Sequence, residues 1–264
     1  MSERRIVFDD GATTILEGWG SGGPAVLFLH GITSSRKSWQ RTAGAMELAY
    51  TVYAYDQRGH GDAAHVTAPM SFERSVRDCA QVADAIPGGI DTLVGHSWGG
   101  AVALLAGLRL PVSRVVAIDP LFCYRGHDWA GRMRKDFGSV FEFEGAERER
   151  AILEQWADLA PADLDGKIHA LRSMSFEPLV AIGRENGADD DKLDLRETIV
   201  NYPRPLLVML ADQKDSVVAA EDVEFIRRHG GRNVTVHVFE GAGHSLHRAA
   251  FDDFMRALNA FLSV

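Results

Sequence analysis

The chain has 264 residues, a formal net charge of −9, 46% apolar residues and 25% charged residues. This acidic balance argues against nucleic acid as a partner, because binding phosphates needs clustered Lys and Arg. The composition is that of an ordinary globular protein with a sizeable core, and no run approaches the roughly 20 apolar residues of a membrane-spanning helix.

In chain order, "RRIVFDDGATTILEGWG" predicts two short strands around an Asp-Gly turn. The N-terminal "MSERRIVFDDG" has no apolar stretch of signal-peptide length. Cys79 and Cys123 form no Cys-x-x-Cys pair. A cytoplasmic protein with reduced thiols is the expectation. Residues 25–29 form a continuous apolar run, as a buried strand does. Residues 37–49 read as a helix, and "YTVYAYDQRGHG" as a short strand running into a Gly-rich loop. Residues 72–86 form an amphipathic helix stopped by Pro87 and Gly88. "DTLVGHS" is a strand, 99–110 a helix, and "SRVVAIDP" a strand closed by Pro120.

The alternation then stops. Residues 122–200 carry helical patterns and many aromatics but no clear strand. The run "GADDDKLD" (187–194) lacks the ligand spacing of a calcium loop and reads as solvated. "PRPLLVMLAD" resumes the buried-strand pattern, followed by the helix "AEDVEFIRRHGG", the strand and loop "NVTVHVFEGAGH", and a terminal helix over 249–262. Buried strands alternating with helices imply an α/β fold, a mostly parallel sheet of about eight strands covered on both faces. Residues 1–121 and 201–264 would form the core. Residues 122–200 would be a helical cap, or lid, inserted into it.

Gly95-x-Ser97-x-Gly99 lies between a strand and an Ala-rich helix. That context is the nucleophile-elbow pattern, which presents a Ser hydroxyl at a helix N-terminus. The bland alternative is a tight turn with an idle Ser. Ser is a poor nucleophile at neutral pH and needs a base and an orienting carboxylate. Of ten His, only His244 sits in a loop directly after the last strand, in "EGAGHSLH". His247 reads as surface or supporting, and His30, His60, His96, His229 and His237 as structural. For the acid, the loop after "PLLVMLA" offers Asp212 and Asp215.

These pieces resemble the α/β-hydrolase superfamily, of the serine esterase, haloperoxidase-like and C–C hydrolase kind. "FLHGITSS", "YDQRGHGDA", "GHSWGG", "ADQKDSVV" and "GAGHSLH" carry the resemblance, in the family's order. It implies the α/β-hydrolase fold. It selects Asp215 as the acid, because Ser216-Val217-Val218 follows it. Asp212 stands where the family often has Gly, and remains an alternative. So does Asp119 at the end of the preceding strand, where some relatives place the acid. The resemblance also implies an oxyanion hole from the backbone N–H groups of Ile32 and Trp98. It casts His30 as a brace of the oxyanion loop, with Asp56 and Arg58 tying the next loop.

Epoxide hydrolases and dehalogenases of this fold use Asp at the elbow, whereas Ser stands here. Proline iminopeptidases share Ser-Trp-Gly-Gly but resemble "HGGPG" where this chain has "HGITS". The expected reaction is hydrolysis of a carboxylic ester or lactone of a moderately sized apolar substrate through an acyl-enzyme, without cofactor or metal. The expected partner is a small molecule, not nucleic acid or a membrane, and the chain would act as a monomer or homodimer. C–C hydrolysis of a ring-cleavage dienoic acid and ligand reception on a hydrolase scaffold are the rival readings. Phe122, Tyr124, Trp129, Phe137 and Trp156 are candidates for the pocket wall. The cations Arg125, Arg132, Arg134 and Lys135, and likewise Arg36 or Lys37, read either as a carboxylate site or as a solvated face.

Overall fold

The computed structural model describes residues 2–124, 126, 128–188 and 193–263. Eight strands form one sheet: β1 (Ser2–Val7), β2 (Thr13–Trp19), β3 (Ala25–Leu29), β4 (Thr51–Tyr55), β5 (Thr92–His96), β6 (Arg114–Ile118), β7 (Leu206–Leu210) and β8 (Val234–Val238). Their order is β1-β2-β4-β3-β5-β6-β7-β8. β1 and β2 pair antiparallel, as does β2 with β4, and all other pairs are parallel. Parallel pairing directs the ends of β3, β5, β6 and β7 to one edge of the sheet. The loops that carry chemistry in such folds gather at that edge.

Before the insertion lie α1 (Gln40–Met46), α2 (Phe72–Asp84) and α3 (Trp98–Gly107). The helix expected over 37–49 is a 3₁₀ turn, Arg36–Trp39, continued by α1. Between β6 and β7 come α4 (Trp129–Phe141), α5 (Gly145–Gln155), α6 (Pro161–Leu171), α7 (Glu177–Glu185) and α8 (Arg196–Val200). The chain closes with α9 (Ala220–His229), α10 (Leu246–Ala249) and α11 (Phe251–Leu262). The helix expected over 249–262 is thus split at Ala250.

Strand periodicity divides the core in two. Leu27 and Leu29 of β3 face one apolar cluster, with Leu104 of α3 and Leu179 of α7. Val26 and Phe28 face the other, with Trp39 and Phe254. Successive side chains of a strand point to opposite faces, so only an uninterrupted apolar run can serve both clusters. α3 is apolar nearly all round and nearly fully buried, as a central helix should be.

The insertion is clasped at its root. Tyr124 N–H donates to Leu193 O (3.0 Å) and Leu195 N–H to Phe122 O (2.7 Å). α6 packs on the loop after β3, where Ser35 Oγ donates to Gly166 O at 3.0 Å. The end of α7 is tied to the start of α2, where Phe72 N–H donates to Asn186 Oδ1 at 2.6 Å. Part of the acidic run, residues 189–192, lies outside the described residues. Among the described residues no helix is long and apolar enough to cross a membrane.

Candidate active site

Ser97 stands between β5 and α3 with φ 53° and ψ −117°. A side chain rarely adopts this region, and such strain concentrates at functional sites. The turn is held by Ser97 N–H to Ile118 O (2.9 Å) and Leu121 N–H to Ser97 O (3.0 Å). Its tightness explains the flanking glycines. A Cβ on Gly95 would fall on the Gly99 carbonyl oxygen, and one on Gly99 on the Leu29 carbonyl oxygen.

The loop after β3 lies against this turn, so that a Cβ on Gly31 would come 3.0 Å from Ser97 Cβ. Ile32 lines the cavity beside Ser97. Its N–H makes no hydrogen bond among the described residues. Trp98 opens α3, where a backbone N–H has no carbonyl one turn earlier to bond. Both N–H groups expected to form an oxyanion hole are therefore near Ser97 with no partner within their own element. The Trp98 side chain turns into the core, stacked on Phe72 at 4.4 Å.

His244 lies after β8 and lines the same cavity as Ser97. Its Nδ1–H donates to a carboxylate at 2.6 Å, and that carboxylate is Asp119, not Asp215. Asp119 follows β6, has φ 38° and is fully buried. Its Oδ1 accepts from Ala211 N–H (3.1 Å) and Ser216 Oγ–H (2.6 Å). Its Oδ2 accepts from Val217 N–H (3.0 Å) as well as from His244. A carboxylate offers about four lone-pair sites, and all are filled.

The expectation for Asp215 is thus corrected. The loop after β7 supplies hydrogen-bond donors to Asp119 rather than the carboxylate bonded to His244. Asp215 is half-exposed at the cavity rim, with Lys214 Nζ 3.9 Å away. Asp212 accepts from Gly241 N–H at 2.7 Å and joins its loop to the one bearing His244. Bonds from Gly241 and Lys214 hold its carboxyl below the usual range.

Other histidines support this edge. His30 donates through Nδ1 to Gly31 O (2.8 Å) and accepts the Gln57 N–H at Nε2 (2.9 Å). Burial pushes its pKa down to about 3. His96 Nε2–H donates to His244 O at 3.0 Å, anchoring the backbone of the candidate base. His247 is not at the surface. It is buried, with its ring 4.7 Å from Trp39 and 4.5 Å from His96.

The cavity is about 430 Å³. Trp129, Phe137 and Trp156 line it as expected, joined by Leu121, Met133 and Val217. Phe122 and Tyr124 do not line it. Phe122 is buried in the core, and Tyr124 packs edge-on against Trp129 at 5.2 Å.

Of the cations considered, Arg36 is unavailable to a ligand. It pairs with Glu3, Glu17, Asp56 and Asp62. Asp56, Asp62 and His169 bring ligand atoms within 4.8 Å of one another, as a metal site does. Arg36 Nη1 already occupies the group, 2.6 Å from Asp62 and 2.9 Å from His169 and bonded to Asp56. Lys37 joins the same network through Glu3 and Glu17. Arg58 is bound to Asp78 and Asp10. Arg132 pairs with Asp136 at 3.5 Å, and Arg134 lies over the Phe176 ring. Arg125 lies outside the described residues.

Two buried cations that the sequence did not single out line the cavity, Lys167 and Arg248. Arg248 had a faint signal, standing four residues after His244 where a helix begins. Lys167 had none.

A model of the "Alpha/beta hydrolase family" matches residues 26–257. The chain belongs to that family. With its hydrolase relatives, this makes it an enzyme of the α/β-hydrolase kind. It is 25% identical to the pimeloyl-[acyl-carrier protein] methyl ester esterase of Pseudoalteromonas atlantica, over 88% of this chain and 92% of that one. It is 30% identical to an abhydrolase domain-containing protein of Schizosaccharomyces pombe, over 45% of this chain. That match spans only 43% of the yeast protein's length. The crystal structure of E-2-(acetamidomethylene)succinate hydrolase shares the fold with a TM-score of 0.81 and 23% identity, covering 100% of this chain and 99% of the other.

Proposed function

We propose that the protein is a serine hydrolase that cleaves a carboxylic ester or lactone through an acyl-enzyme, with Ser97, His244 and Asp119 as its triad. The observation that carries this reading is the 2.6 Å bond from His244 Nδ1–H to Asp119, beside a strained Ser97 in the same cavity. With Nδ1 committed as donor, Nε2 of the neutral ring is left as an acceptor. His244 takes the Ser97 proton as Oγ bonds to the substrate carbonyl carbon. The N–H groups of Ile32 and Trp98 receive the developing oxyanion. One such donor is worth about 3 kcal/mol in the barrier. Collapse breaks the bond to the leaving alkoxide, which receives the proton from His244. Water, deprotonated by His244, then displaces the Ser97 oxygen and releases the acid. Asp119 stabilises the imidazolium formed at each step.

The similar methyl ester esterase supports the ester as the bond cleaved. The cavity suits a compact substrate with an apolar portion against Trp129, Phe137 and Trp156. The reading is tested by turnover of p-nitrophenyl butyrate and a fluorophosphonate label. Wild type should turn over repeatedly and take the label at Ser97, and Ser97→Ala should lose both. Equal rates in the two proteins, or a single slow turnover, would overturn it.

A further inference from the structure

The cavity is unevenly charged. Four cationic side chains line it, Arg132, Lys167, Lys214 and Arg248, against two lining carboxylates, Asp136 and Asp215. The carboxylates lie beside two of the cations, Arg132–Asp136 at 3.5 Å and Lys214–Asp215 at 3.9 Å, all substantially exposed. Lys167 and Arg248 differ. They are buried, with 6% and 9% of their surface exposed.

One carboxylate approaches Arg248, Asp163, at 3.8 Å, and Asp163 stands equally far from Arg41. Burying a charge is costly unless it is paired and hydrogen-bonded. Here Arg248 shares one distant carboxylate with Arg41, and among the described residues no ion pair reaches Lys167. The guanidinium is also under-bonded. Arg248 Nη2–H donates to Ser34 Oγ at 3.0 Å, while buried Nε, the atom that faces Asp163 at 3.8 Å, has no hydrogen-bond partner among the described residues. Lys167 Nζ donates to Thr33 O (2.8 Å) and Thr33 Oγ1 (3.1 Å) and sits over the Trp156 ring at 4.5 Å. Both cations therefore flank Thr33 and Ser34, the residues directly after the expected oxyanion donor Ile32.

We propose that Lys167 and Arg248 form a subsite for a free carboxylate of the substrate, so that the hydrolase acts on acidic half-esters rather than on neutral ones. This rests on the serine-hydrolase reading above. A carboxylate matches a guanidinium with unused donors and can accept two N–H groups at once. It would also offset the repulsion between the two cations. Burial, then Arg248, pushes the Lys167 pKa well down, and burial lowers that of Arg248 although Asp163 opposes it. An Arg nonetheless keeps its charge in a protein. The role of Arg248 is binding and specificity, and Lys167 additionally positions the oxyanion loop.

The test compares monomethyl succinate, glutarate and adipate with neutral methyl esters of matched length. Wild type should favour the half-esters at least tenfold in kcat/KM. Arg248→Met should cut that preference at least tenfold, chiefly through KM, and Arg248→Lys should recover part of it. If Arg248→Met slows acidic and neutral esters equally, or wild type shows no preference, the residue merely braces Ser34 and the proposal fails. Calorimetric binding of glutarate to Ser97→Ala and to Ser97→Ala/Arg248→Met, each checked for folding by its melting curve, gives a readout that needs no turnover. Binding weakened at least tenfold by the second substitution supports the subsite. Equal binding, or none to Ser97→Ala, overturns it. Absence of all esterase activity would instead overturn the hydrolase reading, and the subsite would then be judged on glutarate alone.

Discussion

At Asp119 a buried carboxylate meets donors from three separate places: Ala211 directly after β7, Ser216 and Val217 further along that loop, and the candidate base. An amide there would present an N–H₂ group to one pair of donors and lose the charge that favours the imidazolium. Asp119→Asn is expected to lower kcat on a p-nitrophenyl ester about 10³- to 10⁴-fold, as loss of an orienting acid does elsewhere. Asp215→Asn changes a half-exposed rim residue and should stay within a few-fold. Steady-state kinetics of the two variants decide between the candidates, and the reverse order would return the role to Asp215.

The element that matters most is the β5–α3 turn. Its strand is fully buried and its helix almost so, so neither can shift to admit an extra atom. A methyl at Gly95 would meet backbone at Gly99, not the movable end of a side chain. Gly95→Ala should therefore destabilise the protein by about 3 kcal/mol, the upper part of the usual range for overpacking. The change is read as a fall in the urea midpoint at constant slope. A midpoint within error of wild type would contradict the close approach of Gly95 to the Gly99 carbonyl. α6 acts as a second such element, because Gly166 and Lys167 fit it to the loop that carries Ile32. Residues between β6 and β7 therefore help to shape the cavity beside Ser97.

For the whole molecule, four buried histidines give a dependence on pH. Burial lowers His30 to about 3 and His60 to about 4, and pushes His96 and His247 well down. Folded pKa values below the unfolded value near 6.5 mean that the unfolded chain binds more protons in that window. Stability is then complete above about pH 6.5 and is lost as pH falls toward 3. Each histidine contributes up to about 1.4 kcal/mol per pH unit inside its window. Urea midpoints between pH 7 and 4 should fall steeply, and His60→Gln should flatten the slope. A midpoint independent of pH in that range would contradict the burial of these rings as neutral groups.

Much of this was legible from local pattern. Nearly continuous apolar runs located β3, β5, β6 and β7, because a strand covered on both faces is apolar at most of its positions. Gly-x-Ser-x-Gly between a strand and a helix located Ser97, and a His in the loop after the last strand located His244. These signals are local, since each depends on residues a few positions away. Residues 122–200 stood apart by their loss of alternation, but the pattern did not show which of their side chains would face the cavity. Phe122 and Tyr124 went to the core, while Lys167 turned inward from an ordinary-looking helix.

The sequence by itself therefore determined the sheet and singled out Ser97 and His244, which the structure places beside one cavity. Which carboxylate bonds to His244, and which cations line the cavity as buried groups, were decided only by tertiary structure. β6 and β7 are adjacent and parallel, so Asp119 and the loop with Asp212 and Asp215 arrive side by side at one edge. Spacing along the chain cannot distinguish carboxylates delivered to the same place. The choice falls to the loop after β7, which folds so that Ser216 and Val217 donate to Asp119 and leaves Asp215 half-exposed at the rim. Lys167 and Arg248 likewise meet from positions far apart in the chain, brought together where α6 and α10 close on the oxyanion loop.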